Sequence, residues 1–279
     1  MIHIITDSAA DFEPQELQEL NINCIPLTVI FGEQEFKENL DLSKPQFYQL
    51  LTGSAVFPTT SQAPPRHLLQ HFEAAAASGD DAIYICLSSA LSSTYQTAML
   101  VRDSLGSDHC FVVDSLNATG GQRMLVEQAC RLRDAGHTAA EIVAALEQLR
   151  ERIELYACIN TLEYLHRGGR INYSTYRLGT MAQIKPIITV NGQGQVDVPA
   201  KTMGMKKGME LLCSKAADRP ADPDYPFYVM YTDNRSVAEE LARRLSAHGQ
   251  QVDGVIGVGA AIGSHIGPDA CGLVYVGAE

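Results

Sequence analysis

Ile83-Tyr84-Ile85-Cys86-Leu87-Ser88-Ser89-Ala90-Leu91-Ser92-Ser93-Thr94 passes from an apolar, β-branched run straight into small hydroxylic residues. Ile4-Ile5-Thr6-Asp7-Ser8 and Val112-Val113-Asp114-Ser115 repeat the transition. Apolar runs this short predict buried strands, here over 2–6, 82–87 and 109–114. Segments of helical period near 14–20, 64–78, 93–105 and 119–135 separate them, so the first half predicts βαβ units around a mostly parallel sheet. Ile25 to Phe36 predicts a hairpin turning at Phe31-Gly32-Glu33-Gln34, set at an edge of this domain.

Beyond about residue 155 the pattern changes. Ile184-Lys185-Pro186-Ile187-Ile188-Thr189-Val190, Asn191-Gly192-Gln193-Gly194 and Gln195-Val196-Asp197-Val198 predict a second hairpin, in which the proline suits an edge strand or a strand's beginning. Strands near 226–232, 252–258 and 271–276 and a helix at 235–247 complete the expectation of an α+β unit. The 279 residues thus divide into domains at 1–154 and 155–279.

Composition restricts the function. With 46% hydrophobic and 19% charged residues the chain has the material for a core and no signature of disorder. A net charge of −12 repels nucleic-acid phosphates and anionic headgroups over most of the surface. The seven cysteines are scattered singly, without a CxxC pair, and predict buried thiols in a reducing compartment. No run is apolar for long enough to span a bilayer, and Met1-Ile2-His3-Ile4-Ile5 has no basic leader, so a cytoplasmic location is expected.

In an open parallel sheet, ligands bind outside the carboxyl ends of the strands, where helix N-termini gather unpaired amides. Hydroxylic residues at three strand ends therefore predict a polar, anion-accepting headgroup site. A single such stretch is better read as a helix cap. Five hydroxyls within Ser88–Thr94 exceed what one cap needs.

Further candidates are the cluster Pro58-Thr59-Thr60-Ser61-Gln62 before a helix expected near Pro64 or Pro65, and His265 in a glycine-flanked loop, Ile262 to Pro268. Arg167 and Arg170 flank the pair Gly168-Gly169, and guanidinium groups suit carboxylate or phosphate. Taken singly, the cluster is an ordinary turn, the histidine structural and the arginines solvated. GxxxxGK[ST], HExxH and GxSxG do not occur. Gly257 to Gly263 only echoes a dinucleotide fingerprint, since no helix and acidic ribose partner are expected to follow it.

Six stretches in order, Thr6-Asp7-Ser8, Pro58-Thr59-Thr60-Ser61-Gln62, Leu91-Ser92-Ser93-Thr94-Tyr95-Gln96, Leu162 to Ile171, Ile184-Lys185-Pro186 and His265-Ile266-Gly267-Pro268, resemble the DegV family over nearly the whole chain. The resemblance implies a Rossmann-like N-terminal domain, a C-terminal α/β domain and a long-chain fatty acid held between them, with no cofactor. It implies carboxylate ligands at Thr60 and Ser92 with His265 nearby, and Ser61 and Ser93 stand beside them in the same clusters. It further implies the role of an acyl-carrying subunit that presents the carboxylate to a separate fatty-acid kinase. Arg167, Arg170 and Lys201 would then form a basic patch for that partner. The sequence departs from the family pattern at Ser93 and Asp269, where Gly is usual, and at Lys201, where Arg is common.

Physically, burying roughly 14 methylenes at about 0.8 kcal/mol each yields on the order of 11 kcal/mol before ordering costs, so a tunnel can supply most of the affinity. Two other readings share these residues: an acyl hydrolase with Ser92 as nucleophile and His265 as base, and a binder of another small apolar carboxylate.

Overall fold

The computed structural model describes residues 1–177 and 183–279. The strands are β1 (Ile2–Asp7), β2 (Ile22–Ile25), β3 (Thr28–Phe31), β4 (Gln34–Lys37), β5 (Thr59–Ser61), β6 (Asp81–Cys86), β7 (Cys110–Asp114), β8 (Ile153–Cys158), β9 (Ile184–Val190), β10 (Val196–Met203), β11 (Tyr228–Tyr231), β12 (Gly254–Gly257) and β13 (Cys271–Val276). The helices are α1 (Pro14–Glu19), α2 (Lys44–Gly53), α3 (Pro65–Ser78), α4 (Thr94–Leu105), α5 (Thr119–Asp134), α6 (Ala139–Leu149), α7 (Glu163–Arg167), α8 (Tyr173–Arg177), α9 (Gly204–Asp218), α10 (Arg235–Ala247) and α11 (Ala260–Ile266).

The first half builds a parallel sheet in the order β2-β1-β6-β7. Both faces of β6 are covered. Ile83 and Ile85 join the cluster containing α5 and α6, while Ala82, Tyr84 and Cys86 join Leu68, Phe72 and Ala98 of α3 and α4. Two-sided burial explains why the strand is continuously apolar rather than alternating. The helices start and stop on local chemistry. Ser43 with Gln46 and Thr138 with Glu141 form capping boxes on α2 and α6, and Gly79 and Gly106 end α3 and α4 in the left-handed conformation.

The second sheet runs β10-β9-β8-β13-β11-β12 and is antiparallel except for β11 with β12. One face packs on α9 and α10 through Leu212, Leu241, Val229 and Leu273. Pro186, the third residue of β9, pairs with Lys201 of β10 and lies one residue before the ladder with β8 begins at Ile187, where its carbonyl accepts from the Ile159 amide at 3.0 Å.

Helix α5 lies between the two sheets. Ile4 and Ile85 of the first, Met124, Leu125 and Val126 of the helix, and Leu155, Val274 and Val276 of the second belong to one continuous core. Close approach requires Gly120, where a Cβ would come within 2.5 Å of Val274 Cγ1 and 2.9 Å of Met230 Sδ.

The structure corrects several expectations. The hairpin expected at Ile25–Phe36 forms as β3 and β4, turning at Gly32-Glu33, but it gains a third strand and makes a separate sheet in the order β4-β3-β5. Its third strand, Thr59–Ser61, carries three hydroxyls and so gave no strand signal. The sheet buries Val29 and Phe31 against Phe47, Tyr48 and Ala260. His265 does not lie in a loop but in the last turn of α11, and that helix does follow β12 directly. Its run of Ala and Gly lacks the apolar period by which helices are recognised.

Candidate functional site

A cavity opens where the carboxyl ends of the parallel strands meet the free face of the six-stranded sheet, enclosing about 1100 Å³ of non-atom space with its mouth included. The sheet supplies an apolar wall, in which Leu155 and Ala157 of β8, Ile188 and Val190 of β9, Val196 of β10 and Gly272 of β13 take part. Their spacing by two places each strand's pair on one face. Leu27, Leu87, Leu91, Ala118 and Ile262 close the opposite side.

Thr60, Ser61, Ser92, Ser93 and His265 all line this cavity, together with Gln62, Thr119 and Arg170. Thr60 Oγ1 lies 2.9 Å from His265 Nε2. Burial, reinforced by the charge of Arg170, lowers the His265 pKa to about 4, so the ring is neutral near pH 7. Its Nδ1 is buried without a hydrogen-bond partner among the described residues, and a Cβ at Gly168 would approach it to 2.1 Å. A buried lone pair costs less there than a buried unpaired N–H, which assigns the proton to Nε2. His265 then donates to Thr60, and the Thr60 hydroxyl proton is free to point into the cavity.

Ser92 sits just before the 12-residue helix α4. Its Oγ accepts from the Thr94 amide at 3.2 Å and lies 2.9 Å from Thr94 Oγ1. With Thr94 as donor, Ser92 also keeps a proton for a ligand, at a helix terminus that favours negative charge. Ser93 donates to the Gln62 side-chain carbonyl, which Thr97 also contacts at 3.1 Å. Ser92 and His265 are not hydrogen-bonded to one another here; the hydroxyl on the imidazole is that of Thr60.

Arg170 turns inward. Gly169 adopts a φ of 74°, the chain reverses, and the guanidinium donates to the Leu91 carbonyl at 3.0 Å and to that of Gly168. Burial lowers its pKa from the ordinary arginine value. It thus adds positive charge beside the hydroxyls, in the cavity lining itself, whereas the expectation is a patch near the pocket mouth shared with Arg167 and Lys201. Arg167 is exposed, 2.8 Å from Glu163 and stacked 3.9 Å over the Phe57 ring, and Lys201 is exposed on β10 opposite Pro186. Neither lines the cavity.

The hydroxyls at all three strand ends expected at the headgroup site serve elsewhere, and Ser115, after β7, is buried and donates to the Asn117 carbonyl at 3.0 Å. Ser88 is buried and donates to the Gly194 carbonyl at 2.9 Å, tying the β9–β10 turn to the first half. Thr6, Asp7 and Ser8 are buried and do not line the cavity. Asp269 has a φ of 60°, a conformation that an aspartate tolerates better than most side chains, so it can stand where the family usually has Gly. Six of the seven cysteines are buried and all are free thiols. Among the described residues no helix is long and apolar enough to cross a membrane.

Comparison with known proteins places this architecture. Solved structures superpose along the whole chain: a fatty-acid-binding DegV family protein of Thermus thermophilus at TM-score 0.88 and 28% identity, covering 99% of each chain, and DegV of Bacillus subtilis, described as a fatty acid binding protein, at TM-score 0.84 and 27% identity, again covering 99% of each. A DegV domain-containing protein of Caldanaerobacter subterraneus is 32% identical over 276 residues, 98% of each chain. The DegV family model matches residues 1–278, and the chain belongs to the DegV family.

Proposed function

We propose that this chain binds a long-chain fatty acid between units 1–154 and 155–279 and presents its carboxylate to a separate kinase for acyl-phosphate formation. The observation that carries the reading is the junction of an apolar cavity with the hydroxyls of Thr60 and Ser92 and the guanidinium of Arg170. Thr60 and Ser92 donate to the carboxylate, Arg170 balances its charge, and the wall of Leu155, Ile188 and Val190 takes the tail. A carboxylate removed from water requires such donors, since unpaired burial is prohibitive. Ser61 and Ser93 border the head, and neutral His265 orients Thr60 rather than acting as a charge partner.

The same geometry disfavours hydrolysis. A serine nucleophile needs its base in contact and that base oriented by a third group, whereas His265 contacts Thr60 and its Nδ1 has no partner among the described residues. Presentation to a partner is assigned to the exposed Arg167 and Lys201, Arg167 being held by Glu163 at 2.8 Å. We expect the isolated chain to make no acyl-phosphate from ATP.

Mass spectrometry of the natively purified protein is expected to release one long-chain fatty acid per chain. Recovery of none, together with no saturable binding of palmitate to the delipidated protein, would overturn the proposal.

A further inference from the structure

Asp7, Ser8, Asp11 and Glu38 are buried outside the cavity, a dense concentration of polar groups that ligand binding does not use. Of these, Asp11 and Glu38 converge on the first turn of α11. The Gly259 amide donates to Asp11 Oδ1 at 2.8 Å, and the Ala261 amide donates to Glu38 Oε1 at 3.0 Å. The N-cap of this helix is Gly259, which has no side chain to satisfy those amides. Two carboxylates from remote segments fill the position instead: a Cβ at Gly259 would lie 2.2 Å from Glu38 Oε1 and 2.9 Å from Asp11 Oδ1.

Each carboxylate is held in turn. Ser8 Oγ donates to Glu38 Oε2 at 2.6 Å and accepts from the Leu27 amide at 2.9 Å. Thr119, which lines the cavity, donates to Asp11 Oδ2 at 2.5 Å. The far end of the same helix carries His265, and Glu38 directly follows β4 of the small sheet that delivers Thr60. We propose that Asp11 and Glu38 are positioning residues for the head end: by gripping the first turn of α11 they set His265 against Thr60. The ligand in this proposal rests on the fatty-acid reading; the grip on the helix does not.

The grip is sensitive to protons. Burial, with the charge of Asp11 added, raises Glu38 to about 7; burial raises Asp11 to about 6, against the opposing charges of Lys44 and Arg123. Cys24, Asp7, Tyr48 and, beyond Tyr48, Asp233 also face this cluster, and Lys44 is shared with Glu13. Both folded pKa values lie above the ordinary carboxylate range, so protons stabilise the folded arrangement. That contribution is complete at acid pH and is lost as pH rises through about 6 to 7, where two adjacent negative charges come to share one helix end.

The test compares full-length wild type, Glu38→Ala, Glu38→Gln and Ser8→Ala. His265 ring resonances are recorded on ligand-free protein, and palmitate is titrated at pH 6 and pH 8. Glu38→Ala is expected to move the His265 resonances and weaken palmitate about tenfold, the scale of one lost charge-assisted hydrogen bond. Glu38→Gln, which keeps an acceptor for Ala261, is expected to restore both and to abolish the loss of affinity between pH 6 and pH 8. A folded Glu38→Ala with wild-type His265 resonances, or a Glu38→Gln with the same deficit and pH step, would overturn the proposal. If Glu38→Ala does not fold, Ser8→Ala decides: a smaller shift in the same direction supports positioning, and an unmoved spectrum refutes it. Should wild type bind no palmitate, the fatty-acid reading falls, while the His265 spectra still decide the positioning.

Discussion

The two regions that line the cavity do so by opposite means. The parallel sheet reaches it only with loops and helix starts at the carboxyl ends of its strands, Leu87, Leu91, Ser92, Ser93, Ala118 and Thr119, while Thr60 and Ser61 come from β5 of the small sheet. The six-stranded sheet instead lays part of one face along it, one side chain in two from neighbouring strands, the rest of that face packing on α5. The first arrangement delivers few, directed polar atoms and the second delivers area. On the proposed reading, orientation and affinity fall to different side chains, and each can be damaged separately.

The largest effect is expected at the polar end. Thr60→Ala combined with Ser92→Ala removes two donors to a charged group and should weaken palmitate on the order of 3 to 6 kcal/mol while leaving the fold intact. Calorimetric titration giving the wild-type affinity would remove these residues from the site. In the wall, Ala157→Phe places a ring where roughly four methylenes would lie, a loss of about 3 kcal/mol for palmitate. Octanoate, whose tail is shorter, should lose less. Equal losses for both acids would mean that Ala157 acts on the head and that the division between the regions is wrong. Smallest of all, Arg167→Ala with Lys201→Ala should change palmitate affinity by less than about 1 kcal/mol, as expected for exposed charges. The same variant should lower acyl-phosphate output with the cognate kinase, more at low salt than at high. A lipid defect as large as the kinase defect would place these side chains at the cavity instead.

The parallel sheet was legible because burial on both faces leaves a continuous apolar run, and Ile83 to Cys86 cannot be read otherwise. The head residues were legible mostly through the order of six motifs; composition alone left Thr59-Thr60-Ser61 as a turn, since three hydroxyls do not announce a strand whose partner is thirty residues away. Arg170 illustrates a different limit. Sequence shows the charge and the neighbouring glycines, but the direction of the guanidinium depends on the φ of 74° at Gly169, which reverses the chain. Ser88 belonged to the most suggestive hydroxyl cluster and yet holds the Gly194 carbonyl, because a turn more than a hundred residues further along docks on it. The wall residues did carry a signal in their spacing by two, at Leu155 and Ala157 and at Ile188 and Val190. Nothing in that spacing distinguishes a face turned to a cavity from one turned to a core.

Helix α5 lies against both sheets, and its place has a consequence for how the molecule comes apart. A cut at residue 154 divides the chain but not the core, for Leu125 and Val126 pack in the same cluster as Ile4 on one side and Val274 on the other. Separating the halves would expose the longest buried run of helix among the described residues, Thr119 to Val126. Local opening is inexpensive where few apolar contacts cross a boundary, and here many do. Denaturant is therefore expected to meet a single cooperative unit rather than two modules melting in turn.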